Sequence, residues 1–297
     1  MNKAEVPVVS PELPSRAWRV VLAALRRLPQ GALSRSFGAL ADTPLPAKLR
    51  RPILSVFARS LGIDTSEAEL PLEEYPSLNA FFVRKLRPGT RPWKLPEGTA
   101  GSPVDGVVGQ FGAINAGTLV QAKGRHYTAG ALLNDEREAA RYQGGTFLTL
   151  YLSPRHYHRI HAPCAGVLAK AAHVPGALLP VNAAAVAHVP DLFARNERLL
   201  CYIDSGIGRV AVVAVGAYNV GRISAAFDPE WHQAPTNKRG SAVEVHEYEP
   251  PLVVGAGDEI MAFHLGSTVV LLFEPRAKLH NSLKAGAEIR LGSPIAS

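Results

Sequence analysis

The sequence predicts an α+β protein, rich in β-structure, with a sandwich-like or barrel-like antiparallel β body behind a small N-terminal α-helical region that associates with a membrane. Two observations predict this. Basic, amphipathic stretches are confined to the first part of the chain, and from about residue 76 glycine and proline separate short β-branched runs. Short strands with frequent turn residues are typical of sandwiches and barrels. The predicted regions are residues 1–75 and 76–297.

The N-terminal region carries the charge of the chain. Residues 1–63 hold ten basic and three acidic residues, which accounts for the whole net charge of +7, and the remainder is neutral. Two stretches combine an aliphatic face with arginines, residues 18–28 and a second predicted helix that starts at Pro52. Such helices can lie in the headgroup layer of an anionic membrane. The alternative is a helical cap that packs on the β body.

The sequence shows neither a membrane-spanning run nor a secretory signal, and this sets the expected cellular location. No run approaches the roughly 20 apolar residues needed to span a bilayer, and the N-terminus does not have the pattern of a secretory signal. The two cysteines, Cys164 and Cys201, fit a reducing compartment rather than a disulfide scaffold. We expect a peripheral protein on the cytoplasmic face of the cell membrane, and no nucleic-acid partner, since no recognised binding motif is present.

Five β-branched or aliphatic runs are the predicted strands of the body, and two further segments are predicted helices. The strands are expected at residues 107–111, 146–151, 199–203, 210–215 and 268–273. The helices are expected around residues 128–133 and 135–142.

Three of the ten histidines fall within six residues, at His156, His158 and His161. Ser153 and Pro154 suggest the cap and first position of a short helical turn, in which His158 and His161 would share a face. A metal site made by these histidines with Cys164 is the rival, although the spacing matches no standard zinc pattern. A solvated or structural histidine cluster is the third reading.

Two other segments hold candidate groups. Asp105 precedes Gly106, which is ordinary turn chemistry, but its carboxylate could also orient a histidine and stabilise the charged imidazole. Gly266 and Ser267 interrupt a strand-like run near the C-terminus, and glycine in a strand marks a close approach to the backbone. Together they suggest an Asp105, His158 or His161, and Ser267 constellation. No Gly-x-Ser-x-Gly elbow surrounds Ser267, which disfavours an ordinary hydrolase.

The motifs resemble those of the bacterial phosphatidylserine decarboxylases, in family order over roughly residues 30–275. The matching segments are residues 80–89, 102–106, 121–124, 151–161, 192–198 and 265–268. Each motif alone is weak evidence for the resemblance, but the whole set in this order is specific to the family. The pattern departs at His156, where the family carries Asp.

The resemblance implies a proenzyme that cuts itself between Gly266 and Ser267, giving a long chain, 1–266, and a short chain, 267–297, that stay associated. It implies that His161, oriented by Asp105, activates Ser267, which becomes a pyruvoyl cofactor, and that no metal is needed. The pyruvoyl group would form a Schiff base with phosphatidylserine and decarboxylate it to phosphatidylethanolamine. We assign His158 to acid catalysis or carboxylate alignment, and a homodimer is left open.

Two other functions remain open at this point. A lipid-ester serine hydrolase could use Asp105, His161 and Ser267 in an intact chain. An inactive membrane-associated β module would also leave the chain intact, but its serine would not react with a fluorophosphonate.

Overall fold

The structure is a computed structural model that describes residues 40–122, 125–217, 222–233, 242–264 and 267–297. Ser267 is described through its backbone alone. The predicted helix at residues 18–28, the motif residues Lys123 and Gly124, and Gly266 all lie outside the described residues.

The helices of the described residues are short apart from the first. They are α1 (Ala47–Leu61), α2 (Leu78–Phe82), α3 (Ala129–Leu133), α4 (Glu136–Ala140), α5 (Ala183–His188), α6 (Leu192–Arg195) and α7 (Pro229–Gln233), with a 3-10 turn at Leu72–Glu74. The strands are β1 (Ala100–Gly101), β2 (Gly106–Ala113), β3 (Thr118–Ala122), β4 (Arg125–Thr128), β5 (Thr146–Leu152), β6 (Arg159–His161), β7 (Gly166–Val174), β8 (Arg198–Ser205), β9 (Gly208–Val215), β10 (Ile223–Ala225), β11 (Glu244–Val254), β12 (Glu259–Phe263), β13 (Ser267–Phe273), β14 (Glu288–Ile289) and β15 (Pro294–Ala296).

The predicted antiparallel β body is confirmed. Its main sheet has eight strands in the order β11-β7-β8-β9-β13-β5-β2-β14, and every neighbouring pair is antiparallel. The sheet is open, with β11 and β14 at its edges. A three-stranded sheet, β10-β12-β6, lies beside it and carries part of the histidine segment. All five predicted strands are present, each within a few residues of its expected bounds.

The central strands are buried, which explains their nearly continuous apolar sequences. Val210–Val215 of β9 and Val269–Phe273 of β13 are inaccessible to solvent. Burying a valine or leucine side chain stabilises the fold by roughly 1.5–3 kcal/mol, so these two strands contribute strongly to the core. The two predicted short helices are α3 and α4, capped by the side chains of Thr128 and Asp135.

The N-terminal helix α1 begins earlier than predicted. It starts at Ala47 and contains Pro52 within it, so the expectation that Pro52 starts the helix is wrong. Proline at the sixth position removes one backbone donor, but the apolar face compensates by packing: Leu54 and Ala58 are buried in a small cluster with Tyr75 and Phe81. Helix α1 ends at Gly62, which adopts the left-handed conformation.

The last 31 residues contribute two strands to the main sheet and one to a two-stranded sheet. Strand β13 lies between β9 and β5 and pairs with both along its length. Further along, β14 pairs with β2 and β15 with β1. A break in the chain before Ser267 would therefore leave residues 267–297 held by the sheet.

Candidate active site

Three neighbouring strands end or begin at one end of the main sheet, and each leads to a predicted site residue. Strand β2 begins at Gly106, directly after Asp105, and β5 ends at Leu152, directly before the histidine segment. Strand β13 begins at Ser267, which pairs with Leu152, while Val107 pairs with Tyr151. The sheet order β13-β5-β2 therefore brings three segments that are distant in sequence to one place.

Backbone hydrogen bonds tie the histidine segment to both flanking segments. The amide of His161 donates to the carbonyl of Pro103 at 2.9 Å, two residues before Asp105. The amide of Phe263 donates to the carbonyl of His158 at 2.9 Å. Because Phe263 lies four residues before Ser267, His158 is held beside the chain that leads into β13.

The predicted helical turn through His158 and His161 is wrong. The chain makes a turn at Ser153–His156, closed by the His156 amide and the Ser153 carbonyl at 3.0 Å, and then runs extended into β6. Pairing of β6 with β12 satisfies the backbone groups that a helix would have used. The side chains of His158 and His161 consequently enter different surroundings.

His158 is a buried, neutral imidazole with one unengaged nitrogen. It is fully buried, and its ring lies 4.1 Å from that of Phe82. Its Nδ1 donates to the His156 carbonyl at 2.8 Å, and within the described chain Nε2 has no hydrogen-bond partner. Burial lowers the pKa of His158 to about 3. The ring therefore presents an unprotonated Nε2, which can accept a hydrogen bond.

His161 is engaged at both ring nitrogens. Its Nδ1 donates to the Gly257 carbonyl at 2.7 Å, which leaves Nε2 to accept from the Tyr157 hydroxyl at 3.0 Å. Burial lowers its pKa, although the Gly257 hydrogen bond and the charges of Glu259 and Asp105 oppose this effect. His161 is thus a neutral base held by a tyrosine hydroxyl.

Asp105 is buried and paired with Arg91 rather than with His161. Its Oδ2 lies 2.7 Å from Arg91 Nη2, and its Oδ1 accepts from the Leu291 amide at 2.8 Å. Arg91 also pairs with Glu67 at 2.7 Å. No hydrogen bond joins Asp105 to His161, so the carboxylate acts on that imidazole through its charge, which favours the protonated form.

Gly106 is required for close packing rather than for a turn. A side-chain carbon at this position would lie 2.7 Å from the carbonyl oxygen of Tyr151, which no Cβ tolerates. Its backbone is in β2 and not in the left-handed region. The Asp-Gly pair therefore brings β2 against β5 and holds Asp105 at the end of the sheet.

His156 belongs to the turn before the site. Its Nδ1 accepts from the Ser153 amide at 3.0 Å, and its Nε2 lies 3.2 Å from Glu288. Within the described part of the chain no group of three or more His, Cys, Asp or Glu side chains could hold a metal ion. Cys164 and Cys201 are buried free thiols.

Three side chains at the site were not assigned from the sequence. Arg91 and Tyr157 contact Asp105 and His161, and both lie within or near the family motifs. His264 lies two residues before Gly266, with Asn79 and Arg222 each 3.0 Å from its Nδ1 and Ser224 3.2 Å from its Nε2. Asn79 also donates to Asp42, which links the N-terminal region to the segment before β13. In the sequence, the only indication that His264 belongs to the site is its position two residues before Gly266.

Burial of His158 predicts that the fold loses stability in acid. In the unfolded chain the imidazole has its ordinary pKa near 6.5, whereas in the fold the pKa is about 3. Between these values the unfolded chain binds one more proton, so stability falls as the pH drops from 6.5 towards 3. His158→Asn keeps a donor for the His156 carbonyl but cannot titrate.

Urea unfolding at pH 7 and pH 5, with Ser267→Ala in every protein so that each is a single chain, tests this. We expect the loss of unfolding free energy between the two pH values to be smaller in His158→Asn by about 2 kcal/mol. The exposed His280 provides the matched control, and His280→Asn should lose as much as the protein without a histidine substitution. An equal loss in all three proteins would contradict a neutral, buried His158.

Comparison with known proteins identifies the family. Residues 78–297 match the family model described as phosphatidylserine decarboxylase. A protein of Anaeromyxobacter sp. (strain K) is 48% identical over 279 residues, covering 93% of this chain and 98% of that protein. Proteins of Myxococcus xanthus (44% identical; 90% of this chain, 94% of that protein) and Bordetella avium (40%; 94% and 94%) also match. All three relatives are named phosphatidylserine decarboxylase proenzyme. The chain belongs to the phosphatidylserine decarboxylase family.

Proposed function

We propose that this chain is a proenzyme that cuts its own backbone between Gly266 and Ser267 and then decarboxylates phosphatidylserine to phosphatidylethanolamine. The family membership supports the reaction. The observation that supports the residues is the meeting of three strand ends, which brings the Asp105 segment, the histidine segment and Ser267 to one end of the main sheet.

In the proposed cleavage, the Ser267 hydroxyl attacks the carbonyl of Gly266, and the peptide C–N bond gives way to an ester C–O bond. The hydroxyl proton passes to a base and then to the departing amide nitrogen. Serine is a weak nucleophile at its ordinary pKa, so a base beside it is necessary. Elimination then breaks the ester, and hydrolysis with loss of ammonia leaves a pyruvoyl group at residue 267.

His161 is the base in this proposal. The proton of the ring is on Nδ1, where it is donated to the Gly257 carbonyl, so Nε2 is unprotonated. Nε2 can take the serine proton once its hydrogen bond to the Tyr157 hydroxyl is broken. Protonation makes the imidazole cationic, and the charge of Asp105 favours that state. Asp105 thus supports the base electrostatically while its oxygens hold Arg91 and the Leu291 amide.

The two chains would stay together after cleavage. Strand β13 is hydrogen-bonded on both sides, and its residues Val269–Phe273 are fully buried. Separation would expose five apolar side chains, at a cost of roughly 1.5–3 kcal/mol each. The new terminus at residue 267 would therefore remain fixed opposite Leu152.

In decarboxylation the pyruvoyl carbonyl supplies the electron sink for the charge left on the substrate Cα when carbon dioxide departs. His158 transfers the proton in this proposal. In the fold the pKa of His158 is about 3, so the carboxylate of the bound substrate has to raise that pKa before Nε2 can take the proton that the substrate ammonium group loses and deliver it to Cα. Burial of the ring and the neighbouring Phe82 exclude water from this transfer.

The N-terminal region is proposed as the membrane-binding part, with residues 76–297 as the catalytic domain. In α1 the exposed side chains include the apolar Leu49 and Val56 beside basic Arg51 and Arg59. This combination suits an anionic headgroup layer, and phosphatidylserine is itself anionic. No helix among the described residues is long and apolar enough to cross a membrane. We place the protein peripherally, on the cytoplasmic face.

Incubation of the purified protein with phosphatidylserine vesicles tests the function. Lipid mass spectrometry should show phosphatidylethanolamine accumulating, with both acyl chains retained. Release of a fatty acid, together with labelling of Ser267 by a fluorophosphonate, would instead establish a serine hydrolase. Unchanged lipid and an unlabelled, intact chain would establish an inactive module.

Variants of the proposed base and its supporting carboxylate should leave the chain uncut. We expect His161→Ala and Asp105→Asn to accumulate as full-length protein on denaturing gels, because the first removes the base and the second removes the charge that favours its protonation. Glu67→Gln is the matched control, since Glu67 also pairs with Arg91. It should be processed normally. Normal processing of either site variant would remove that residue from the proposal.

A further inference from the structure

Arg84 is a buried arginine without a direct ion pair in the described part of the chain, although the charges of Glu67 and Asp105 act on it from further away. It follows α2 and is 3% exposed. Its Nε and Nη1 are buried and have no hydrogen-bond partner among the described residues. Its neighbour on one side is the ring of Phe81, 5.4 Å from the guanidinium carbon. An unpaired buried charge is costly, and buried guanidinium groups are ordinarily paired.

The position of Arg84 links it to the proposed site. Phe82, two residues earlier, lies against His158, and the carbonyl of Val83 accepts from Arg159 Nε at 2.8 Å at the start of β6. The charge of Arg84 acts on both His158 and Tyr157. The guanidinium of Arg84 is therefore close enough to His158 for its charge to act on the imidazole that carries the unpartnered Nε2.

We propose that Arg84 binds the phosphodiester of the substrate headgroup. The proposal rests on the function proposed above. Guanidinium groups recognise phosphate through charge-assisted hydrogen bonds, and the Nε and Nη1 donors of Arg84 have no partner among the described residues.

The substrate carries two anions, and the reaction distinguishes them. Pairing with the carboxylate would stabilise a charge that disappears when carbon dioxide leaves, which would raise the barrier. The phosphodiester keeps its charge from substrate to product. Binding it favours ground state and transition state equally, so it lowers KM without changing kcat.

Steady-state kinetics of the processed enzyme in mixed micelles test the assignment. Arg84→Gln should be processed normally, raise KM for phosphatidylserine by about 10- to 100-fold and change kcat little. Phosphatidylethanolamine, which has the phosphodiester but no carboxylate, should inhibit the variant more weakly by a similar factor. Lys85→Gln removes an exposed cation one residue away and should leave both constants unchanged.

Three results would overturn the proposal. These are an unchanged KM in Arg84→Gln, a raised KM with undiminished inhibition by phosphatidylethanolamine, and the same changes in Lys85→Gln. If Arg84→Gln does not fold, Arg84→Lys keeps the charge but not the planar fork. Arg84→Lys should then show a KM above that of the wild-type enzyme and product inhibition weakened by a similar factor, and wild-type constants would contradict the proposal. An inactive wild-type enzyme would instead overturn the proposed function.

Discussion

Ser267→Ala is expected to yield one uncut chain with no decarboxylase activity. The substitution removes the hydroxyl that attacks Gly266 and, with it, the precursor of the pyruvoyl group, so both reactions lose their reactive group at once. Strand β13 should still form, because its buried residues 269–273 are unchanged. Denaturing gels and a lipid assay measure the two losses.

The control for this variant is another serine of the same C-terminal segment. Ser282 is exposed and bonds His280, far from the end of β13 in sequence. Ser282→Ala should be cut and active. A Ser267→Ala protein that still separates into two chains would refute self-cleavage through this hydroxyl.

His158→Ala is expected to mature normally but to decarboxylate about 10²–10⁴ times more slowly in kcat, the usual contribution of a positioned acid or base. The reason is that cleavage uses His161, whereas the proton for Cα passes through His158 Nε2. The experiment is a kcat and KM measurement on fully processed protein, with processing checked on gels.

Loss of packing is the competing cause of a slow His158→Ala enzyme. Phe82→Leu disturbs the same ring contact but keeps the imidazole, so its kcat should fall far less. A His158→Ala enzyme with full kcat would contradict the assigned role, and so would a Phe82→Leu enzyme that is equally slow.

The sequence predicted the β body well because its strands are marked by composition. Runs such as Val210–Val215 are β-branched, apolar and bounded by turns, and central strands buried on both faces need that pattern. The N-terminus of α1 was misplaced because Pro52 reads as a helix start, while the packing of Leu54 and Ala58 lets the helix continue through it.

The sequence singles out candidate site residues but not the geometry in which they are held. Asp105 and the histidines could be selected from their motifs, but their hydrogen bonds depend on residues distant in sequence. Asp105 is held by Leu291, 186 residues further along the chain, and His161 by Gly257, 96 residues away. The pairing of β6 with β12, which rules out a helical turn, is equally non-local.

Arg84 illustrates what sequence patterns cannot show. It stands between exposed and half-buried neighbours in a basic segment, Arg84-Lys85-Leu86-Arg87, where a solvated side chain is the ordinary expectation. The tertiary fold nevertheless buries it and leaves Nε and Nη1 without a partner among the described residues.

Intact mass spectrometry of the purified wild-type protein tests the central claim most directly. We predict two chains, residues 1–266 and 267–297, whose masses place the break between Gly266 and Ser267. The short chain should start with a pyruvoyl group in place of serine and resist Edman degradation. A single chain of 31.7 kDa, or a break elsewhere, would contradict the account.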